Sequence, residues 1–283
     1  MKRRDVLALA GATLLHTSTF PFGWTAEIKP KKRRLLYFTQ CQGYEHEMVH
    51  REGDELAFSE KTLTEMGMRV GLEVICTKDG RVFDGELDQY DCIAFYTSSG
   101  DLTKPNKRND PPVTPKGLER LFEAVSTGKS FVGFHAATCS FRNVKPYMQM
   151  LGGEFIFHGA QQEALMKVAS PDFPGVEGLG DAFSLNDEWY VMKIHDPKIH
   201  VILVQETKGM IGERYERPPY PATWAKMHGK GRVFYTSMGH RQDVWTNDTF
   251  QKIVLGGLAW ALGDVDVDVT PNFHQVTPDA LTA

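Results

Sequence analysis

Residues 131–138 read FVGFHAAT, a short apolar run that breaks abruptly at a histidine, His135. The run 131–134 has the length and composition of a strand buried on both faces, which is typical of parallel sheets. The small residues Gly133 and Ala136 allow the chain to turn sharply around this histidine. We therefore expect a strand-to-helix bend that brings the imidazole of His135 to the edge of a sheet.

The rest of the chain repeats this alternation of apolar strands and amphipathic helices, which predicts an α/β fold with a doubly wound, mostly parallel sheet. Strands are predicted at 35–39, 72–76, 91–96 and 233–236, and helices at 52–68, 115–125 and 250–262. Shorter segments with polar alternation predict an antiparallel extension of the sheet, at 155–157, 164–169, 183–191 and 200–204. The domain is placed at 34–263, and 264–283 is expected to be a polar C-terminal tail.

Composition excludes several classes of protein. Hydrophobic residues make up 41% of the 283 residues, enough to bury a sizeable core. The net charge is −4, with no basic excess beyond the N-terminus, so nucleic acid is not an expected partner. The four cysteines form no C-x-x-C pair, which argues against a structural zinc site of that kind.

The N-terminus has the features of an export signal. Arg3 and Arg4 precede an apolar run through Leu15, and polar, turn-prone residues follow as far as Ala26. This pattern predicts a twin-arginine signal peptide over 1–26, and hence a periplasmic or secreted protein. The run of about 10 residues is too short to cross a bilayer of ~30 Å, and no membrane span is expected elsewhere. The alternative is a basic, apolar helix that stays attached.

Histidines at strand ends are the first candidate functional groups, because ligands of open α/β sheets bind at the carboxyl ends of the strands. His46 follows the first predicted strand, His135 the fourth and His240 the late one. We expect these three imidazoles at one rim of the sheet, although each could instead be a structural or solvated histidine. His158 is a weaker candidate of the same kind.

Asp187 and Glu188 are the second candidate feature, within an otherwise aromatic segment. Adjacent strand residues face opposite sides, so only one of the two carboxylates is expected to reach a pocket. A carboxylate beside an imidazole can orient it, or can serve as acid or base. The alternative is an exposed edge strand. Trp224 follows a proline-rich loop at 218–221, and its ring could stack on a sugar or simply pack in the core.

Several motifs, in order, resemble those of the ThuA-like family of trehalose-utilisation proteins. They are GFHAAT at 133–138, LGG at 151–153 followed by FH at 157–158, DEWY at 187–190, PATW at 221–224, and GKGRVFY at 229–235 running into GH at 239–240. The resemblance implies a flavodoxin-like fold of the class I glutamine amidotransferase-like superfamily. Amidotransferases carry a cysteine nucleophile at the bend where this chain has His135. Cys139 lies in the next turn and is a poor substitute, so glutaminase activity is not expected.

The resemblance also implies sugar chemistry, since ThuA-like proteins are linked to the use of disaccharides through 3-keto sugars. A ketone acidifies the neighbouring C–H, so a histidine or carboxylate base can begin isomerisation, epimerisation, elimination or hydrolysis. We expect His135 and His240 as the acid–base pair and Glu188 as an orienting or general-base carboxylate. The substrate, a small-molecule carbohydrate, is expected to contact His46, His158 and Trp224.

Two other functions stay open at this point: a non-catalytic carbohydrate-binding accessory protein and a metal-dependent hydrolase. The histidine and glutamate set would suit zinc or another first-row divalent metal. Any such site would have to be assembled from separate strand ends, and no other cofactor is expected. The oligomeric state is not indicated by the sequence.

Overall fold

In the computed structural model, which describes residues 32–96 and 100–282, the strands build one large sheet and one small one. The strands are β1 Arg33–Phe38, β2 Leu72–Thr77, β3 Cys92–Phe95, β4 Ser130–Phe134, β5 Gly153–His158, β6 Gln162–Val168, β7 Ala182–Asp187, β8 Tyr190–Ile194, β9 His200–Gln205, β10 Tyr220–His228 and β11 Gly231–Thr236. The helices are α1 Phe58–Arg69, α2 Pro115–Thr127, α3 Lys145–Leu151, α4 Gln242–Trp245, α5 Asp248–Ala261 and α6 Phe273–Val276. The predicted signal peptide at 1–26 lies outside the described residues.

The large sheet has nine strands in the order β2-β1-β3-β4-β11-β10-β9-β6-β7. The five strands from β2 to β11 are parallel to one another. From β11 to β7, each strand pairs antiparallel with the next. The structure therefore confirms the predicted α/β fold, a doubly wound parallel sheet with an antiparallel extension.

Helices cover both faces of the parallel part of the sheet. Neighbouring residues of a strand point to opposite faces, and Phe234 and Tyr235 of β11 show this clearly. The ring of Phe234 lies against Gly257 of α5. The ring of Tyr235 is on the other face, near Gly133 and beside Leu151 of α3. Because both faces are covered, the central strands consist of continuous apolar runs, and their carboxyl ends are the available edge for a site.

The predicted strand at 183–191 is in fact two strands that belong to different sheets. β7 ends at Asp187 on the edge of the large sheet, whereas β8 pairs antiparallel with β5 in the small sheet. Glu188 and Trp189 form the link between them. Hydrophobic patterning does not show this break. Because Glu188 lies outside both strands, the direction of its side chain is not set by strand alternation.

Strand β10 was not predicted, because prolines at 218, 219 and 221 indicate a loop. The strand begins at Tyr220 and lies between β9 and β11. Its register with β9 shifts just after Pro221, an irregularity of the kind that accommodates a residue without a backbone N–H. Helix α3 was not predicted either, because it has only seven residues and Pro146, near its start, suggests a loop.

The tail at 264–283 packs on the domain along its described length. Asn272 accepts the backbone N–H of Val201 in β9, and the adjacent Phe273 is buried. Further on, the carbonyl of Leu281 accepts the N–H of Ile194 in β8. The tail thus contacts strands of both sheets. Among the helices of the described residues, none is long and apolar enough to cross a membrane.

We predict that Gly256→Ala destabilises the protein, although alanine favours helices. A Cβ atom on Gly256 in α5 would overlap the backbone carbonyl of Pro174. Overpacking of this kind typically costs about 1–3 kcal/mol, more than the gain in helix propensity. Urea unfolding followed by circular dichroism should show a lower free energy of unfolding. An unchanged or higher value would contradict the close approach of these two segments.

Candidate active site

His135 stands at the carboxyl end of β4 in a strained conformation. Its φ is +39°, a left-handed value that is uncommon for a residue other than glycine. The bend is held by its own carbonyl, which accepts hydrogen bonds from the hydroxyls of Tyr235 and Thr138. The ring is fully buried, and Nδ1 lies 2.6 Å from the carbonyl oxygen of Ser237. Since a carbonyl can only accept, Nδ1 carries the proton, and Nε2 faces the other site residues.

His240 follows β11 on a loop that is fixed at Gly239. The N–H of Gly239, at φ +117°, donates to Oδ2 of Asp187 over 2.7 Å. The carbonyl of Gly239 accepts from the Tyr96 hydroxyl and from the Trp245 indole N–H. Burial raises the pKa of Asp187, while the positive histidines nearby and its backbone hydrogen bonds oppose that rise. Asp187 thus positions the loop that carries His240 and does not itself contact the imidazoles.

Glu188 is the carboxylate that reaches the histidines. One oxygen, Oε2, lies 3.5 Å from His135 Nε2 and 3.3 Å from His240 Nδ1. The other oxygen, Oε1, lies 3.3 Å from His158 Nδ1. Burial alone would raise the pKa of Glu188, but hydrogen bonds and charge from His135 and His240 outweigh it and hold the pKa well below its usual range. As expected, only one of the two adjacent carboxylates faces the pocket.

His46 completes the group from the loop after β1, directly before the 3-10 turn Glu47–Val49. Its ring centroid lies 5.1 Å from those of both His135 and His240, which are 5.2 Å from each other. Burial lowers the pKa of His46 well below its usual value, and the neighbouring histidines lower it further. Four donor atoms, one each from His46, His135, Glu188 and His240, all lie within 4.8 Å of one another. We call these four residues the histidine–glutamate cluster.

A cavity of about 290 Å³ opens beside the cluster. Its wall combines polar groups with aromatic rings: Tyr44, His46, Cys139, Phe155, His158, Glu188 and Tyr190. The Tyr190 hydroxyl lies 3.4 Å from His46 Nε2, and the Tyr190 ring packs 4.0 Å from the His135 ring. Tyr44, 64% exposed, stands at the mouth. An apolar wall with a few converging polar groups is typical of small-molecule sites.

Residues 46–50 read HEMVH, the H-E-x-x-H spacing that on an α-helix brings two histidines to one zinc ion. Here the helical part is a 3-10 turn of three residues, Glu47–Val49. His50 instead contacts Glu45, 2.8 Å away, and its side chain is 55% exposed. Only His46 of this segment joins the cluster, so the segment does not form a helical zinc site of that type.

Trp224 is not at the site, which corrects the expectation that it contacts the substrate. Its side chain is fully buried in the core, where the indole N–H donates to the carbonyl of Leu151. Gly152 and Gly153 leave room for the indole ring, since a Cβ atom on either would contact it. The motifs at 151–153 and 221–224 are therefore two sides of one packing contact. His158, in contrast, lines the cavity and is 44% exposed.

Cys139 lies at the floor of the cavity, four residues after the bend. It is buried, and burial raises the pKa of its thiol to about 12. A thiol with that pKa stays protonated at neutral pH and is a poor nucleophile. The position of the bend itself is occupied by His135, so the described residues offer no activated thiol there for amidotransferase chemistry.

Three residues that line the cavity were not predicted from the sequence: Tyr44, Phe155 and Tyr190. Asp187 was considered only as one of two adjacent carboxylates, and its positioning of Gly239 was not predicted. Tyr190 ends the motif at 187–190, and Tyr44 lies two residues before His46, so proximity to the candidates was the available signal. Phe155 comes from β5, whose pairing with β8 places it 4.4 Å from the ring of Tyr190. No local pattern shows that pairing, because the two strands are far apart in sequence.

The family model described as trehalose utilisation, ThuA, matches residues 34–261. The chain belongs to the ThuA family. The match spans every element that contributes a residue to the cluster, and the family supports a sugar-related role for this ThuA protein in general. No significant match was found among curated proteins.

Solved structures with the same fold include two crystal structures of proteins described as ThuA-like. The protein from Bacteroides uniformis is 19% identical, with a TM-score of 0.63 over 88% of this chain and 99% of that one. The protein from Parabacteroides merdae is 18% identical, with a TM-score of 0.61 over 86% and 95%. A cytoplasmic protein from Salmonella typhimurium is 14% identical, with a TM-score of 0.52 over 80% and 98%. At these identities the likeness shows the fold.

We predict that Asp187→Asn destabilises the protein by about 1–3 kcal/mol, the cost of a buried polar group without a partner. The two carboxylate oxygens of Asp187 accept the N–H groups of Glu188 and Gly239. An amide has a single acceptor oxygen, so its NH2 group would face a backbone N–H. Urea unfolding measures the loss. Asp243→Asn is the control, because that carboxylate is exposed and pairs with Arg241 at the surface. Equal stability of the two variants would contradict the role of Asp187.

Proposed function

We propose that this ThuA family member is an enzyme that processes carbohydrate by acid–base chemistry on a keto-sugar or its glycoside. The observation that carries the proposal is the contact of His135 and His240 with Glu188, whose carboxylate lines an aromatic-walled cavity. Buried imidazoles and a carboxylate in contact are groups that hold and transfer protons near neutral pH. The description of the family as trehalose utilisation supports a sugar as the class of substrate.

The cavity suits one sugar ring. Its volume of about 290 Å³ is at the lower end of the range for small-molecule sites. The rings of Tyr44, Phe155 and Tyr190 offer apolar faces for the C–H groups of a pyranose. His158 and Glu188 offer hydrogen-bond partners for its hydroxyls. A second ring of a disaccharide would extend past Tyr44 at the mouth.

The reaction begins with removal of the proton on the carbon next to the ketone, and the electron pair moves to the carbonyl oxygen to give an enolate. For isomerisation, the hydroxyl on the deprotonated carbon passes its proton to the enolate oxygen, and a proton then returns to the former carbonyl carbon. For epimerisation, the proton returns to the original carbon from the opposite face. In a 3-keto-glycoside the enolate can also expel the glycosidic oxygen, which leaves with a proton from an acid. The cluster supplies both roles: Glu188 or a neutral imidazole as base, and an imidazolium as acid.

The enolate oxygen needs a positive partner, and stabilisation of such developing charge is commonly the largest contribution to catalysis. His135 and His240 lie within 3.5 Å of Glu188, and an imidazolium at either position would supply that positive charge. His135 is held by Ser237, so its Nε2 is already aimed when the substrate arrives. This pre-orientation avoids the cost of ordering the group during the reaction.

We extend the proposal to location. The twin-arginine pattern at 1–26 would export the folded chain, which would then act in the periplasm or outside the cell. A keto-sugar formed there, or imported into that compartment, would be the substrate. Release of the mature N-terminus near Ala26, measured by mass spectrometry of protein from the periplasmic fraction, tests this part of the proposal. Retention of the whole chain in the cytoplasm would contradict it.

We predict that the purified protein exchanges or converts a 3-keto-glycoside in deuterium oxide. NMR should show deuterium entering next to the carbonyl, or products of isomerisation or elimination, from a panel of such compounds. Glu188→Gln and His135→Ala should lower the rate by about 10²–10⁴-fold, the usual contribution of a positioned acid or base. Circular dichroism confirms that each variant folds, and Glu188→Gln keeps the shape of the side chain.

His228→Ala is the matched control, because that histidine ends β10 away from the cavity and should keep full activity. Full activity of Glu188→Gln would reject the assignment of the site. Saturable binding of the panel with no exchange or turnover would reject an enzyme and favour a carbohydrate-binding accessory protein that uses the same cavity.

A further inference from the structure

The separations among three atoms of the histidine–glutamate cluster are those of ligands around a metal ion. His135 Nε2, His240 Nδ1 and Glu188 Oε2 are separated by 3.3, 3.3 and 3.5 Å. Ligands at about 2.0–2.1 Å from a tetrahedral ion are separated by roughly 3.3–3.4 Å. The three atoms thus already form one face of such a tetrahedron, without any adjustment of the backbone.

His46 provides the fourth candidate donor of the cluster. One of its ring nitrogens lies within 4.8 Å of the other three donor atoms. The three imidazole rings are nearly equidistant, with centroids 5.1–5.2 Å apart. Their planes cross at 65–88°. Three imidazole rings grouped this closely around one carboxylate place their nitrogen atoms within reach of a common ion.

The hydrogen bonds behind the cluster also have the form found at metal sites. Ligating histidines usually donate their second N–H to a carbonyl or carboxylate, which fixes the tautomer and the ring. His135 does so through Nδ1 to the carbonyl of Ser237. The loop of His240 is fixed by the buried Asp187 through Gly239. Nε2 of His135 and Nδ1 of His240 face each other over 3.3 Å, and one cation would satisfy both nitrogens together with Glu188.

We propose that His46, His135, Glu188 and His240 bind one first-row divalent cation of the zinc type. Three imidazoles and one carboxylate are borderline ligands that suit such an ion, and they disfavour calcium or magnesium, which prefer oxygen. The ligands come from the ends of β1, β4 and β11 and from the link between β7 and β8. The cation faces the cavity, where an oxygen of a ligand can complete its coordination.

The role of the cation in turnover rests on the proposed function. The cation would bind the carbonyl oxygen of the keto-sugar and stabilise the enolate, as a Lewis acid does. Proton transfer would then fall to His158, which contacts Glu188 Oε1 but is not one of the four ligands. Its 44% exposure toward the cavity leaves it within reach of the substrate.

The test begins with the full-length protein after dialysis against a chelator. Equilibrium dialysis with Zn²⁺, Mn²⁺, Co²⁺ and Ni²⁺, followed by elemental analysis, should show one equivalent bound. Bound Co²⁺ should give the intense visible absorption of a four- or five-coordinate site with nitrogen ligands. His240→Ala and Glu188→Gln should weaken binding by at least about 100-fold, more than is usual for outer-shell changes. No stoichiometric binding by the wild type would overturn the proposal.

His50→Ala is the matched control. It removes the second histidine of the H-E-x-x-H segment and leaves the cluster intact. It should bind the metal as tightly as the wild type, whereas a loss comparable to that of His240→Ala would assign the metal to the wrong site. Circular dichroism and thermal unfolding of every variant establish that lost binding is not lost folding.

The same measurements distinguish a wrong metal site from a wrong proposed function. Stoichiometric metal with no activity on any keto-sugar would support the site and reject the sugar reaction. Full turnover by the metal-free protein would reject the role of the cation and leave acid–base catalysis by the cluster itself.

Discussion

The pairing of a buried carboxylate with surrounding imidazoles is the interaction on which the site depends. A charge removed from water is costly unless a partner compensates it. Glu188 meets this requirement through contacts of 3.3–3.5 Å with His135, His240 and His158. Replacement of Glu188 by a neutral residue would leave the buried His135 and His240 without their carboxylate partner. The neighbouring structure therefore serves to bring these groups together: strained backbone at His135, a fixed loop at Gly239, and a break between two strands at Glu188.

Much of the site could be predicted because the parallel sheet is readable in the sequence. Apolar runs at 35–39, 131–134 and 233–236 are strands, and the carboxyl ends of parallel strands share an edge. The positions of His46, His135 and His240 follow from that single rule. The sequence predicted that only one of Asp187 and Glu188 reaches a pocket, and Glu188 does so from the link after β7 and not through strand alternation. The ordered motifs predicted the ThuA family, which the family model confirms.

The rest depended on contacts between distant segments. The split of 183–191 into β7 and β8 is decided by pairing with β6 and β5, which leaves no mark on hydropathy. Trp224 was wrongly assigned to the site because the prolines before it indicated a loop. These residues instead form a central strand with an irregular register. The H-E-x-x-H spacing at 46–50 would by itself suggest a helical zinc site, which this segment does not form. Without an α-helix beneath it, His50 turns to Glu45 and away from the cluster.

The ionisation of the Glu188 carboxyl tests its pairing with the imidazoles most directly. Carbon-13 NMR of protein labelled at the glutamate carboxyls, with Glu188→Gln to assign the signal, follows its ionisation with pH. The imidazoles around it hold the pKa of Glu188 far below that of ordinary glutamates, which titrate near about 4.3. This pairing predicts a Glu188 signal that stays that of the carboxylate while the other glutamates titrate, as long as the protein is folded. A Glu188 signal that titrates with the others, or at higher pH, would contradict it.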